Sequence, residues 1–126
     1  MKALWIAIVT LVLLMAAGLA NSAYLTARCH DWTARLDAVT SAAESGDWEA
    51  AAGEMAALRA DWQRKQSYLH ITLQHGEINE ADTLLHQCAL YVDSRDNDSL
   101  ADVAVQLTLQ FDRLAELEQL SIKNVL

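Results

Sequence analysis

Residues 25–43 read LTARCHDWTARLDAVTSAA, and the spacing of their apolar side chains decides the fold class. Apolar residues recur at alternating intervals of four and three positions, at Leu25, Cys29, Trp32, Leu36, Val39 and Ala43. This spacing puts them on one stripe of an α-helix, as in coiled-coil seams and helical bundles. The stretch therefore predicts an amphipathic helix that buries its stripe against other helices.

The segment before this stretch is an apolar run. Residues 3–20, ALWIAIVTLVLLMAAGLA, contain no charged residue, and Trp5 and Tyr24 lie near the two ends, where aromatic side chains favour the membrane interface. A transmembrane helix needs about 20 apolar residues. We predict that residues 1–21 form an uncleaved transmembrane signal-anchor, which continues as one helix into an extracytoplasmic helical bundle domain of residues 22–126.

Two other interpretations of this run are open. A cleaved signal peptide is one, because Gly18 and Ala20 provide small residues before a cut after Ala20. A buried core helix is the other, and it is disfavoured because the run is apolar on all sides rather than along one stripe. Whether the run is an anchor or a signal peptide, the N-terminus stays on the cytoplasmic side of the membrane and the rest of the chain lies on the outer side.

The remainder of the chain predicts three more amphipathic helices. They run from Trp48 to about His75, from Glu77 to about Ser94, and from about Leu100 to Leu120. The chain has no proline, which favours uninterrupted helices, and the turns between the predicted helices are short. The sequence therefore predicts an all-α fold, in which an N-terminal transmembrane helix continues into an antiparallel bundle of about four helices.

Helix-capping patterns set the expected boundaries. Gly46 suits the left-handed position after a helix, and Asp47 suits the N-cap of the next one. His75, which precedes Gly76, is expected in the last turn of the second helix. Ser99 and Asp102 resemble a capping box for the fourth helix.

Charge and motifs exclude several classes of function. The chain has 9 Lys and Arg against 17 Asp and Glu, a net charge of −8, which opposes binding to nucleic acid and electrostatic docking on anionic lipid. Two cysteines cannot complete a zinc finger, and the sequence has no Gly-rich phosphate loop, no G-x-S-x-G and no H-E-x-x-H. We predict no catalytic residue, no cofactor and no enzyme activity.

Cysteines and tryptophans are candidate site residues. Cys29 and Cys88 both fall on predicted stripes, either as buried free thiols or as a disulfide formed in an oxidising exterior. Trp32, Trp48 and Trp62 lie on or beside the stripes, which indicates core packing, or they form an interaction surface, because tryptophan is common among binding hot spots.

Histidines are candidate ligands. His75, Glu77 and Asp82 could converge at the corner of the second and third helices, as a metal site or as a solvated, capped corner. His70 and His75 are five residues apart, which is not the spacing that shares a helix face. A b-type haem site between helices is also open.

The order of several short motifs resembles one bacterial family. These are the N-terminal KALWIAIVTLVLL, GDWEAA (46–51), LRADW (58–62), HGEI (75–78) and the terminal LSIKNVL (120–126). In this order they are similar to the domain of unknown function 4363 family, small membrane-anchored proteins of spore-forming Gram-positive bacteria. The resemblance implies a location and an architecture, and it implies no activity, cofactor or site residue.

These observations lead to two hypotheses about function. The first is a non-enzymatic, membrane-anchored interaction or accessory protein, which acts at the outer face of the cytoplasmic membrane and binds another membrane protein. The alternative is an anchored helical-bundle sensor or carrier that binds a small ligand, metal or haem, since such bundles hold ligands between their helices.

Overall fold

A computed structural model of the chain describes residues 1–125, except the side chains of Thr72, Ser121, Ile122, Asn124 and Val125. It has four helices: α1 (Lys2–Glu44), α2 (Trp48–Thr72), α3 (His75–Asp93) and α4 (Asn97–Val125). Within residues 1–125 there is no β-strand. The all-α prediction is confirmed.

The helices form an antiparallel four-helix bundle. α1 packs against α2 and α4, and α3 packs against the same two helices. α1 and α3 therefore face each other diagonally across the bundle, as do α2 and α4. Because α1 leaves the apolar run and the turns are short, α2 returns toward that run, α3 leads away from it and α4 returns again.

α1 has two halves that differ in their surroundings. Its buried residues are confined to the second half, and they comprise Ser22, Leu25, Cys29, Trp32, Leu36, Val39 and Ala43. Every residue from 1 to 17 is exposed, so nothing in the described part of the chain covers the apolar half. The predicted stripe is thus one wall of the bundle, and the apolar run extends away from it in the same helix.

The first turn follows the capping pattern. Gly46 has φ of +81°, a conformation that glycine adopts without steric cost. Asp47 caps α2, because its Oδ1 accepts a hydrogen bond from the backbone N–H of Ala50 at 3.1 Å.

The second turn differs from the prediction. Leu73 and Gln74 are extended, with ψ angles of 165° and 138°, so α2 ends at Thr72 and His75 begins α3. The expectation that His75 ends α2 is wrong, because this reversal uses two extended residues and needs no left-handed glycine. Gly76 lies inside the first turn of α3 instead.

The third turn begins α4 earlier than predicted. Asp96 Oδ1 accepts a hydrogen bond from the backbone N–H of Ser99 at 3.2 Å, and Arg95 adopts a left-handed φ of 55°. The capping box at Ser99 and Asp102 is therefore wrong. Asp96 caps this helix end with its carboxylate instead, and α4 begins at Asn97.

Candidate functional site

Tryptophans fill the centre of the bundle rather than its surface. Trp32 and Trp62 are 0% and 1% exposed, and their rings pack edge-on at 5.1 Å between centroids. Phe111 of α4 lies 5.5 Å from Trp32 and 6.0 Å from Trp62. The interaction-surface interpretation is wrong for these two tryptophans, because their stripe positions face inward. Trp48 is half-buried and packs against the core.

A buried carboxylate accompanies the aromatic centre. Asp61 is 5% exposed, and its Oδ2 accepts a hydrogen bond of 2.7 Å from Nε1 of Trp32. Arg64 donates to Oδ1 at 3.1 Å, and Arg28 lies 3.7 Å from Oδ2. Burial raises the pKa of Asp61, but these hydrogen bonds and the charges of Arg28 and Arg35 outweigh it, so the pKa is lowered. Asp61 is therefore ionised at neutral pH.

The second indole repeats this arrangement on the next helix. Trp62 Nε1 donates to Asp82 Oδ1 at 3.2 Å. The two indole–carboxylate bonds link α1 to α2 and α2 to α3. Both bonds satisfy polar groups that the packing of large aromatic side chains would otherwise leave without partners. This arrangement stabilises the bundle.

The sequence did not point to Asp61 as a buried residue, because acidic residues between apolar stripes usually lie on a solvated face. The available signal was the LRADW segment, where an acid lies directly before one stripe tryptophan and three residues after a stripe leucine.

The candidate metal ligands at the α2–α3 corner contact different partners. Glu77 Oε2 accepts from Gln110 at 2.9 Å and pairs with Arg113 at 3.0 Å, while Asp82 binds Trp62. The interpretation of His75, Glu77 and Asp82 as one metal site is therefore wrong. In the described part of the chain no group of three or more His, Cys, Asp or Glu residues is arranged to hold a metal.

Cysteines Cys29 and Cys88 are both free and buried. They lie on α1 and α3, which face each other diagonally across the bundle. Of the two alternatives for these cysteines, buried free thiols and a disulfide, this structure has the free thiols. Burial raises the pKa of each thiol to about 12, with the charge of Asp112 contributing at Cys29.

Polar contacts fix α1 at the point where it leaves the bundle. Asn21 Nδ2 donates to Glu118 Oε1 at 2.8 Å, which joins α1 to the last part of α4. Tyr24 packs edge-on against Tyr68 at 5.7 Å, and the Lys65 ammonium lies 5.7 Å from the Tyr24 ring centroid. Burial, with the neighbouring Glu118 and Tyr24, raises the pKa of Tyr68. These contacts hold the direction of the apolar run relative to the bundle.

An apolar groove lies on the surface between α1 and α4. Val105 and Leu109, one helical turn apart, are 61% and 62% exposed. They line an open groove of about 380 Å³, whose other lining residues are Leu36, Asp37, Thr40, Glu44, Ala101, Ala104 and Thr108. This exposed apolar row lies two positions along from the buried Val103 and Leu107 of the same helix, and the amphipathic pattern of α4 did not predict it.

The fold and its sequence define a helical-bundle protein of one family. The chain belongs to the DUF4363 family, described as a domain of unknown function, whose sequence model matches residues 19–125. The match begins close to Ser22, where the buried face of α1 begins. No curated protein and no solved structure matches the chain. One helix, α1, is long and apolar enough to cross a membrane, a property that signal sequences and some core helices share.

Proposed function

We propose that this protein is a non-enzymatic, membrane-anchored accessory protein that binds another membrane protein at the outer face of the cytoplasmic membrane. The observation that carries the proposal is the uncovered apolar half of α1, which continues without a break into a wall of the bundle. Residues 2–20 of a helix span about 28 Å at 1.5 Å per residue, close to the roughly 30 Å of a hydrocarbon core. Water would oppose this exposure, whereas lipid favours it.

The direction of insertion is part of the proposal. The N-terminus lies on the cytoplasmic side and residues 22–126 lie on the outer side, so the acidic bundle stands above the outer face of the membrane. The contacts of Asn21 and Tyr24 hold the bundle against the helix that leaves the membrane. Such an arrangement suits a protein that presents a surface at a defined height and orientation.

The α1–α4 groove is the candidate surface for the partner. Its α1 residues lie about 24–36 Å beyond residue 20, at 1.5 Å per residue. The groove runs beside α1, so a helix of the partner that rises from the membrane next to the anchor reaches it without changing direction. Exposed Val105 and Leu109 give that helix an apolar ridge to pack against.

The test is purification of the chain from native membranes in mild detergent through a C-terminal tag. We expect one stoichiometric membrane-protein partner, identified by mass spectrometry. Val105→Asp and Leu109→Asp should lose it, whereas Leu90→Asp, at an exposed site on α3 outside the groove, should keep it. A chain that purifies alone at native expression contradicts the proposal.

The sensor or carrier hypothesis stays a prediction with its own test. The α1–α4 groove is open surface, and the aromatic centre is packed with Trp32, Trp62 and Phe111. A visible absorption band in the protein from native membranes would support this alternative.

A further inference from the structure

The corner between α2 and α3 brings the Nδ1 atoms of two histidines into contact. The Nδ1 atoms of His70 and His75 are 2.6 Å apart, and the ring centroids are 4.6 Å apart with an angle of 39° between the planes. Within one helix this five-residue spacing would separate the two side chains. The extended residues Leu73 and Gln74 reverse the chain, so the last turn of α2 meets the first residue of α3.

Two facing ring nitrogens have a restricted chemistry. A neutral imidazole has one N–H and one nitrogen lone pair, so the space between the two Nδ1 atoms accepts one proton or one ion that both lone pairs bind. Imidazole nitrogen is a preferred ligand of Zn²⁺, Cu²⁺ and Ni²⁺, whereas Mg²⁺ and Ca²⁺ prefer oxygen. Carboxylates do not supply oxygen here, because Glu77 is held by Gln110 and Arg113.

The geometry needs little adjustment to hold such an ion. At Zn–N distances of about 2.0–2.1 Å and a tetrahedral angle, two ligating nitrogens lie about 3.3 Å apart. The rings must therefore separate by less than about 1 Å. His75 is exposed and His70 half-buried, so the adjustment leaves the core unchanged and water reaches the remaining coordination positions.

The electrostatic surroundings oppose the ion weakly on one side and favour it on the other. His75 is the first residue of α3, where the helix dipole disfavours a cation. His70 lies in the last turn of α2, where the dipole favours one. The net charge of −8 adds an attraction for cations over the whole chain.

We propose that His70 and His75 form a two-histidine site for a divalent transition-metal ion of the Zn²⁺, Cu²⁺ and Ni²⁺ class, which binds through both Nδ1 atoms. The bound ion joins the end of α2 to the start of α3. This corner lies on the side of the bundle from which the apolar run leaves. The site does not depend on the proposed accessory function, since it requires only the α2–α3 reversal.

The experiment is a metal titration of the full chain in mild detergent, with a tag that contains no histidine and after treatment with a chelator. ZnCl₂, NiCl₂ and CuCl₂ are titrated separately at mildly alkaline pH by calorimetry, with MgCl₂ as the oxygen-preferring control. Wild type should bind one transition-metal ion and no Mg²⁺. His70→Asn and His75→Asn should each weaken binding at least tenfold, because both nitrogens are needed.

Matched controls separate this site from other histidines. His30→Asn and His86→Asn change exposed histidines elsewhere on α1 and α3, and they should bind metal as wild type does. Nuclear magnetic resonance of the imidazole nitrogens should show Zn²⁺ on Nδ1 of both rings. An unchanged far-ultraviolet helical signal shows that each variant is folded.

Three results would overturn the proposal. They are a wild-type chain that binds no transition metal, a His70 or His75 variant that binds with wild-type affinity, and loss of binding in the His30 or His86 variant. Each of them leaves the accessory function unaffected, because that function is tested by partner purification.

Discussion

Asp61 is the buried charge on which the centre of the bundle depends, and its removal has a calculable cost. Asp61→Ala leaves Trp32 Nε1 without its 2.7 Å acceptor inside the core. A buried donor that loses its partner costs about 1–3 kcal/mol, and breaking a fully buried ion pair costs about 3–5 kcal/mol. The side chains of Arg28 and Arg64 are 29% and 69% exposed, so water compensates much of the second loss. We expect a total of about 2–3 kcal/mol.

The assay is urea unfolding of the full chain in mild detergent, followed by circular dichroism, since fluorescence would change with the tryptophans themselves. Asp82→Ala is the matched control, because Asp82 is exposed and accepts the longer 3.2 Å bond of Trp62. It should cost about 1 kcal/mol or less.

A double-mutant cycle isolates the bond itself. Trp32→Phe removes the donor, and in that background Asp61→Ala should cost less than in wild type. The coupling free energy between Trp32 and Asp61 should be about 1.5–3 kcal/mol, as for a hydrogen bond to a charged group. A coupling near zero, or equal losses for Asp61→Ala and Asp82→Ala, would refute the reasoning.

Three further predictions follow from the same structure. The pKa of Asp61 is lowered in the fold, so the stabilisation from its carboxylate is present above the unfolded pKa of about 3.9 and is lost as pH falls through the folded pKa. The free energy of unfolding should therefore fall less steeply with acid pH in Asp61→Asn than in wild type. Equal slopes would contradict this. The pKa values of Cys29 and Cys88 are raised to about 12, so both thiols should resist alkylation in the folded protein. After unfolding without reductant both should react, as mass spectrometry would show. Two thiols that stay unreactive would reveal a disulfide. Gly46→Ala should destabilise the fold by about 1 kcal/mol, because φ at this residue is +81°. Gly53→Ala, inside α2, should stabilise it by about 0.5–1 kcal/mol, since no atom lies within 4 Å of the added Cβ at either site. Thermal unfolding of the two variants should show changes of opposite sign.

Apolar spacing predicted the helices because burial follows the three–four period directly. The stripe from Leu25 to Ala43 is the buried face of α1, and Gly46 and Asp47 adopt the conformations that their capping roles require. Apolar spacing and capping act within a single helix or turn, so these features could be predicted from the sequence.

Features that depend on pairs of helices were not predictable in the same way. The burial of Asp61 requires Trp32 on another helix, and the meeting of His70 and His75 requires the extended residues Leu73 and Gln74. Similarly, the free, buried state of Cys29 and Cys88 depends on how α1 and α3 are placed in the bundle. No single-helix pattern encodes such relations.

The residue at which the mature protein begins tests most directly whether the uncovered half of α1 is a retained membrane anchor. The measurement is the intact mass of the protein from washed native membranes, compared with the soluble fraction. If the anchor is retained, the membrane fraction contains a chain of 13.9 kDa with residues 1–20 present. A shorter chain that begins after Ala20 and is found in the soluble fraction would contradict it.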